Sequence, residues 1–175
     1  MSAIFVVPIG PTPPELITNL LLPLEQAFGL PAQIEHRLQI DPGPAFDESR
    51  NQYYSTRLIT FLLGRVPHPE GKILGVSSKD LFVPVLTYVF GEAQLDGSAA
   101  VVSSYRLDDT LYGLPPNPSL LQDRLLKEAV HELGHTFGLI HCFNQECVMH
   151  SSSAVEEIDL KSSAFCRNCR SVLGK

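Results

Sequence analysis

The run His131-Glu132-Leu133-Gly134-His135 places two imidazoles and a carboxylate within one short segment, and Gly138 and His141 follow it closely. Residues four apart on a helix lie one turn above each other on the same face. His131 and His135 can therefore both aim a ring nitrogen at one divalent ion about 2 Å away. Gly138 stands where a positive φ ends such a helix and reverses the chain, which lets His141 return to the same ion from the side. Three neutral imidazoles leave a fourth coordination position open. A hydrolytic zinc needs that vacancy, because it must keep a water whose pKa it lowers towards about 7. Glu132 points about 100° round the helix from His131, beside the ion. From there its carboxylate can take a proton from that water and pass it to a departing amine. With 6 His and 11 Glu in the 175 residues, the five-residue pattern arises by chance at about 1%; Gly138 and His141 reduce that to roughly 3 in 100,000.

All four cysteines lie beyond this motif, as Cys142, Cys147, Cys166 and Cys169. Two close pairs separated by a short segment can present four thiolates to one tetrahedral ion, with zinc as the natural occupant. Two disulfides, or a redox-active Cys166-Arg167-Asn168-Cys169, are the competing readings, and a reducing compartment disfavours both. Size supports the metal independently. Residues 139–175 are rich in Ser and charge, and a segment below about 40 residues seldom builds a sufficient core without a staple.

The elements that must position these groups follow from pattern and punctuation. Ala3–Val7 reads as a strand, and Thr12-Pro13-Pro14-Glu15 as a capping box opening a helix over Pro13–Phe28 that ends at Gly29. The alternation Ile34, His36, Leu38, Ile40 predicts a half-buried strand. Asp47 is a candidate cap for a helix carrying Tyr54, Leu58, Phe61 and Leu62 and closed by Gly64. Lys72–Val76 reads as a strand. Val85–Phe90 and Ala99–Tyr105 read as an antiparallel pair about the Asp96-Gly97 turn. Asn117-Pro118 opens a third helix, whose stripe Leu121, Leu125, Ala129, Val130 runs into the histidine motif. Ser151-Ser152-Ser153 reads as a turn and helix cap ahead of Val155–Phe165. Strand, helix, strand, helix, strand is an α/β opening.

Composition excludes other classes. The chain carries 13 Lys+Arg against 19 Asp+Glu, a net charge of −6, with no basic block, so a phosphate-backbone partner such as nucleic acid is not expected. The apolar stretch Ala3–Ile9 is too short to span a bilayer and has no basic flank, so neither a membrane anchor nor a signal peptide is expected. A cytoplasmic monomer of one domain is the expectation.

The pattern H-E-x-x-H-x-x-G-x-x-H with a downstream Met is similar to that of the metzincin clan of zinc peptidases. The following Cys142-x4-Cys147-Val148-Met149 and Cys166-x2-Cys169 resemble the archaemetzincin (archaelysin) family. The resemblance implies His131, His135 and His141 as ligands of a catalytic zinc, Glu132 as the catalytic residue and Met149 as an apolar floor beneath the histidines. On residue type alone, Met149 could be an ordinary core methionine. With the cysteine ion, two zinc ions per chain are expected. A mixed twisted sheet is implied too, with three main helices above a cleft, an upper subdomain of residues 1–138 and a small zinc-stapled lower one of 139–175. The substrate would be a peptide or protein lying along an edge strand, Val85–Phe90 or Ala99–Tyr105, and the activity that of a peptidase, an aminopeptidase among the options. No pro-segment is expected, since the first strand begins at Ala3. Some metzincins have a Tyr where this chain has Ser151, so the oxyanion partner is unassigned; His150 reads as a turn histidine, and His36 and His68 as structural or surface residues. The rivals are a non-catalytic peptide-binding or metal-sensing module, which would have no need of Glu132, and hydrolysis of a non-peptide amide.

Overall fold

The computed structural model describes residues 2–66 and 70–174, and His68 lies outside the described residues. Strand β1 (Ile4–Ile9) leads into helix α1 (Pro14–Phe28). Thr12 does not cap that helix. Its hydroxyl sits within 3.3 Å of the Ile9 carbonyl and 3.2 Å of the Val76 carbonyl, fastening the helix entrance to the sheet, while Pro13 occupies the cap position. Gly29 ends α1 as expected, at φ 61°, its N–H donating to the Glu25 carbonyl.

The strand expected over Ile34–Ile40 is shorter and earlier, β2 (Ala32–Ile34). A turn follows, in which the Glu35 carboxylate accepts from the Arg37 N–H, and Ile40 returns to the sheet only as a single bridge to Ile9. The apolar alternation is therefore that of a turn that starts at the half-buried Ile34 and ends at the buried Ile40. Asp47 caps no helix either. It belongs to β3 (Phe46–Asp47), and its carboxylate accepts from the N–H groups of Ser49 and Arg50, which turns the chain into β4 (Gln52–Tyr54). Helix α2 (Ser55–Arg65) then starts later than predicted and runs through Gly64.

Strand β5 (Lys72–Ser77) is where the pattern put it. Next come β6 (Leu81–Phe82), β7 (Gly91–Ala93) and β8 (Ala99–Ser103). The antiparallel partner of β8 is β7, not Val85–Phe90, which makes only one bridge, Val89 to Leu81. The order of the main sheet is β2-β1-β5-β8-β7: four parallel strands with one antiparallel strand at the edge, the mixed sheet expected. Strands β3, β4 and β6 form a second small sheet that no sequence signal announced.

Both faces of the sheet are buried, as a parallel sheet requires. Ile4, Val6, Leu74, Val76, Ala100 and Val102 face α1 and α3 (Pro118–Thr136), while Val7, Ile9, Ile73, Ala99 and Val101 face α2. Two short helices complete the chain. Helix α4 (Val155–Leu160) stops five residues short of the expected Phe165, and α5 (Arg167–Val172) begins after Cys166. Among the described residues no helix is long and apolar enough to cross a membrane.

Candidate active site

Helix α3 carries the motif because both its ends are specified. At its start the Asn117 side chain accepts from the Leu120 N–H at 3.1 Å, and Pro118 follows where no amide partner is needed. At its end Gly138 adopts φ 86°, the Leu139 N–H donates to the Gly134 carbonyl and the Gly138 N–H to that of His135. This doubled reversal is the Schellman arrangement that only glycine adopts without strain. The back of the helix, through Leu125, Ala129, Val130 and Leu133, is locked in the core, so its front is rigidly aimed.

On that front the Nε2 atoms of His131 and His135 stand 3.1 Å apart, and one donor atom from each of His131, His135 and His141 lies within 4.8 Å of the others. Two ligands bound about 2.05 Å from one tetrahedral ion would stand about 3.3 Å apart, so the donor set fits zinc. The outward nitrogens are accounted for. His131 Nδ1 donates to the Val148 carbonyl at 2.8 Å and His135 Nδ1 to the Leu139 carbonyl at 2.7 Å, which leaves both Nε2 lone pairs free for a metal. Burial pushes all three imidazoles below their ordinary pKa, His131 furthest, and the Lys161 ammonium adds to the effect. Neutral rings are what coordination requires.

Met149 is fully buried, with its sulfur against α3 at Gly134. A Cβ on Gly134 would meet the Met149 sulfur at 2.5 Å, so the glycine inside the motif makes room for that thioether. His150 is not in the donor set; its Nδ1 donates to the Cys142 carbonyl at 2.8 Å, a turn-fixing role.

Cys142, Cys147, Cys166 and Cys169 are brought together as free thiols, with Cys142–Cys166 and Cys147–Cys169 sulfurs each 3.8 Å apart. Four ligands about 2.3 Å from a tetrahedral zinc would stand about 3.8 Å from one another, whereas a disulfide needs about 2.05 Å. The cluster is wired to the histidines. The Cys142 N–H donates to the Met149 carbonyl at 2.9 Å, and Val148, whose carbonyl holds His131, follows Cys147 directly.

Glu132 is buried beside the imidazoles. Burial raises its proton affinity well above the carboxylate range, Glu128 adds to this, and Lys161 opposes it. A cleft of about 430 Å³ opens in front of Glu132, between a rim of Leu86–Gly91 and a floor of Ser151–Ser153, with His131, His141 and Glu128 in its walls. The expected segment Val85–Phe90 thus does border the cleft, though as irregular chain leading at Gly91 into the edge strand β7, while the other candidate, Ala99–Tyr105, supplies β8 inside the sheet.

Sequence reasoning missed three contributors. Glu128 lies one turn before Glu132 on the same helical face, a spacing that could have flagged it. Lys161 forms a buried ion pair with Glu128 at 3.0 Å and donates to the His150 carbonyl, yet the sequence shows it only as one charge after a run of acidic residues. Gly91 packs so closely that a Cβ there would meet Glu132 Cγ at 2.7 Å and the Val101 carbonyl at 2.6 Å. Lys161→Met should destabilise the fold by about 3–5 kcal/mol, because Glu128 is left charged without compensation. Adding Glu128→Leu should restore most of that loss in urea unfolding; an additive double mutant would show that the pair is not the cause.

A mixed sheet, an edge strand over a cleft and three convergent histidines on and after one helix define a metallopeptidase of metzincin type. Comparison with known proteins gives the family. Residues 45–175 match the model of peptidase family M54. The chain is 40% identical to the archaemetzincin of Methanocaldococcus jannaschii, covering 93% of this chain and 87% of that protein. It superposes on the crystal structure of the Methanopyrus kandleri archaemetzincin with a TM-score of 0.84 at 34% identity, over 99% and 94% of the two chains. A zinc-dependent peptidase from Methanocorpusculum labreanum gives 0.86 at 31% identity, over 98% and 100%. The chain belongs to the archaemetzincin family, peptidase family M54, and is a zinc metallopeptidase.

Proposed function

We propose that His131, His135 and His141 hold a catalytic zinc ion and that Glu132 is general base and then general acid in peptide-bond hydrolysis. The 3.1 Å approach of two Nε2 atoms, on rings that each commit Nδ1–H to a backbone carbonyl, carries this reading. Zinc bound there supplies a Lewis acid that lowers the pKa of water and polarises the substrate carbonyl. Glu132 accepts the proton of the attacking water on a carboxylate oxygen and delivers it to the leaving nitrogen as the C–N bond breaks. The free edge of β7 can pair with an extended peptide and draw it past Glu132. Gly91→Ala should therefore lower kcat about 100-fold at unchanged zinc content, since Glu132 must shift to admit the methyl group. Unchanged kcat would show that the rim yields instead.

The four cysteines hold a second, structural zinc in this reading, and residues 139–175 form a lower subdomain built round it, with residues 1–138 above. The reduced thiols suit the cytoplasm, and one chain supplies the whole site, as a monomer would. An aminopeptidase would also need an acceptor for the substrate's α-ammonium. On the far side of the histidines the hollow lined by Ala93, Leu95, His135, Ile140 and His141 holds no carboxylate, so the proposal rests on peptide hydrolysis without that acceptor. The test is a peptide mixture incubated with zinc-loaded protein and with Glu132→Gln, products read by mass spectrometry with free and N-acetylated substrates. Cleavage by the first alone supports the proposal. Equal cleavage by both, or none by the zinc-loaded protein, overturns it, and loss of cleavage on N-acetylation would restore the aminopeptidase reading.

A further inference from the structure

The cleft is not equally open at its two ends. At the histidine end a second hollow, lined by Ala93, Leu95, His135, Ile140 and His141, adjoins it at His141, and Leu95 and Ile140 there stand exposed. At the other end the Tyr88 hydroxyl, from the rim, crosses to the Ser153 carbonyl on the floor at 2.7 Å. Both abutments of this bridge are anchored. Arg106 stacks over the Tyr88 ring at 4.5 Å while two hydrogen bonds to Asp80 hold its guanidinium, and Phe90 meets the same ring edge-on. The rim just before Tyr88 is pinned where Arg50 donates to the Leu86 and Thr87 carbonyls and Gln52 to that of Thr87. There the fully exposed Val85 is held at φ 80°, a conformation that costs a β-branched residue of order 1–3 kcal/mol and persists only when its surroundings impose it. On the floor the Glu157 carboxylate accepts from the Ser153 hydroxyl at 3.0 Å and from the Ala154 N–H at 3.3 Å.

We propose that Tyr88 is a bar across the substrate cleft that limits how many residues a substrate can carry beyond the scissile bond. The proposal rests on the peptidase reading and deepens it. A peptide strand prefers to add antiparallel to the free edge of β7, since antiparallel pairing is slightly the more stable. Such a strand runs from the Ala93 side towards Tyr88, so the residues after the scissile bond head for the bar. Gly91 stands over Glu132, and Tyr88 lies three residues away along the rim. At about 3.3 Å per residue that leaves room for roughly three substrate residues past the bond cut. A longer carboxyl-side extension must break the Tyr88–Ser153 hydrogen bond, and an amino-side extension meets no such bar.

Zinc-loaded protein given peptides with two or six residues after the scissile bond should prefer the shorter by roughly tenfold in kcat/KM, about what one neutral hydrogen bond and its packing are worth. Tyr88→Phe keeps the ring against Arg106 and Phe90 and should cut that preference to about threefold, and Tyr88→Ala should abolish it. Extending the amino side should change nothing in any variant. Binding of the same peptides to the Glu132→Gln holoprotein gives a second readout: the length penalty should appear in Kd, shrink with Tyr88→Phe/Glu132→Gln and vanish with Tyr88→Ala/Glu132→Gln. Peptides that bind with this pattern but are not cut would overturn the peptidase reading and leave the bar standing. An equal length penalty with and without Tyr88, a penalty on the amino side, or no binding at any length would overturn the bar.

Discussion

Replacing Cys166 and Cys169 together with serine should release one zinc ion per chain, expose the chain beyond Leu139 to proteolysis, and weaken catalytic-zinc binding about 10–100-fold. The first two effects follow from the energy of the cluster. A structural zinc held by four thiolates contributes about 10–16 kcal/mol of apparent binding energy, and in so short a segment that is folding energy. The hydrophobic contribution of the segment is modest: Val148, Met149, Val155, Ile158 and Phe165 join the core, but Phe143, Leu160 and Val172 stand exposed. The third effect follows from connectivity. Cys142 is bonded to His141, its N–H donates to the Met149 carbonyl, and its own carbonyl accepts a hydrogen bond from His150 Nδ1. Cys147 leads into Val148, whose carbonyl orients His131, and Val148 in turn donates to the Ala164 carbonyl close to Cys166. Losing the sulfurs therefore frees the backbone that aims two of the three imidazoles. Zinc stoichiometry by atomic absorption and competition with a chromophoric chelator measure this. Full catalytic-zinc affinity without Cys166 and Cys169 would show that the two clusters are independent.

What was legible in the sequence divides along the reach of the interactions. The histidine motif was readable because coordination ties residue type to spacing, and the chain that satisfies it is local: one helix, one Gly138 reversal, one return. The ends at Gly29 and Asn117 were readable for the same reason, since a cap is satisfied within four residues. The failures are long-range. Thr12 and Glu15 spell a capping box, yet Thr12 finds the Val76 carbonyl of a distant strand, and tertiary context wins. Val85–Phe90 has the composition of a strand, but Arg50 and Gln52 take the Leu86 and Thr87 carbonyls, so pairing with β8 passes to Gly91–Ala93. No propensity argument for a segment registers a guanidinium some 36 residues away. Lys161 is the extreme case, a residue type almost never fully buried unless paired, whose partner Glu128 lies far back in the chain on α3.

Glu132→Gln should lower kcat about 100- to 10,000-fold while leaving zinc content and KM nearly unchanged, the range expected when one positioned proton carrier is removed. Glutamine has the volume and planar end of glutamate, so the packing against Gly91 survives and the imidazoles keep their bonds to the Val148 and Leu139 carbonyls. What is lost is proton affinity. Burial and the neighbouring Glu128 carboxylate make Glu132 a better base than a carboxylate in water, while Lys161 keeps the pair of acids from being prohibitively costly. An amide in that place can neither accept the proton of the attacking water nor return it to the leaving nitrogen. A zinc ion held by His131, His135 and His141 would still supply a Lewis acid for the carbonyl, so residual turnover above the chelated protein is expected. Steady-state kinetics with zinc measured on the same samples separates the outcomes. A fall in kcat with zinc lost would make Glu132 a support of the metal site, and an unchanged kcat would move the proton transfer to another group in the cleft, with Glu128 the first to replace next.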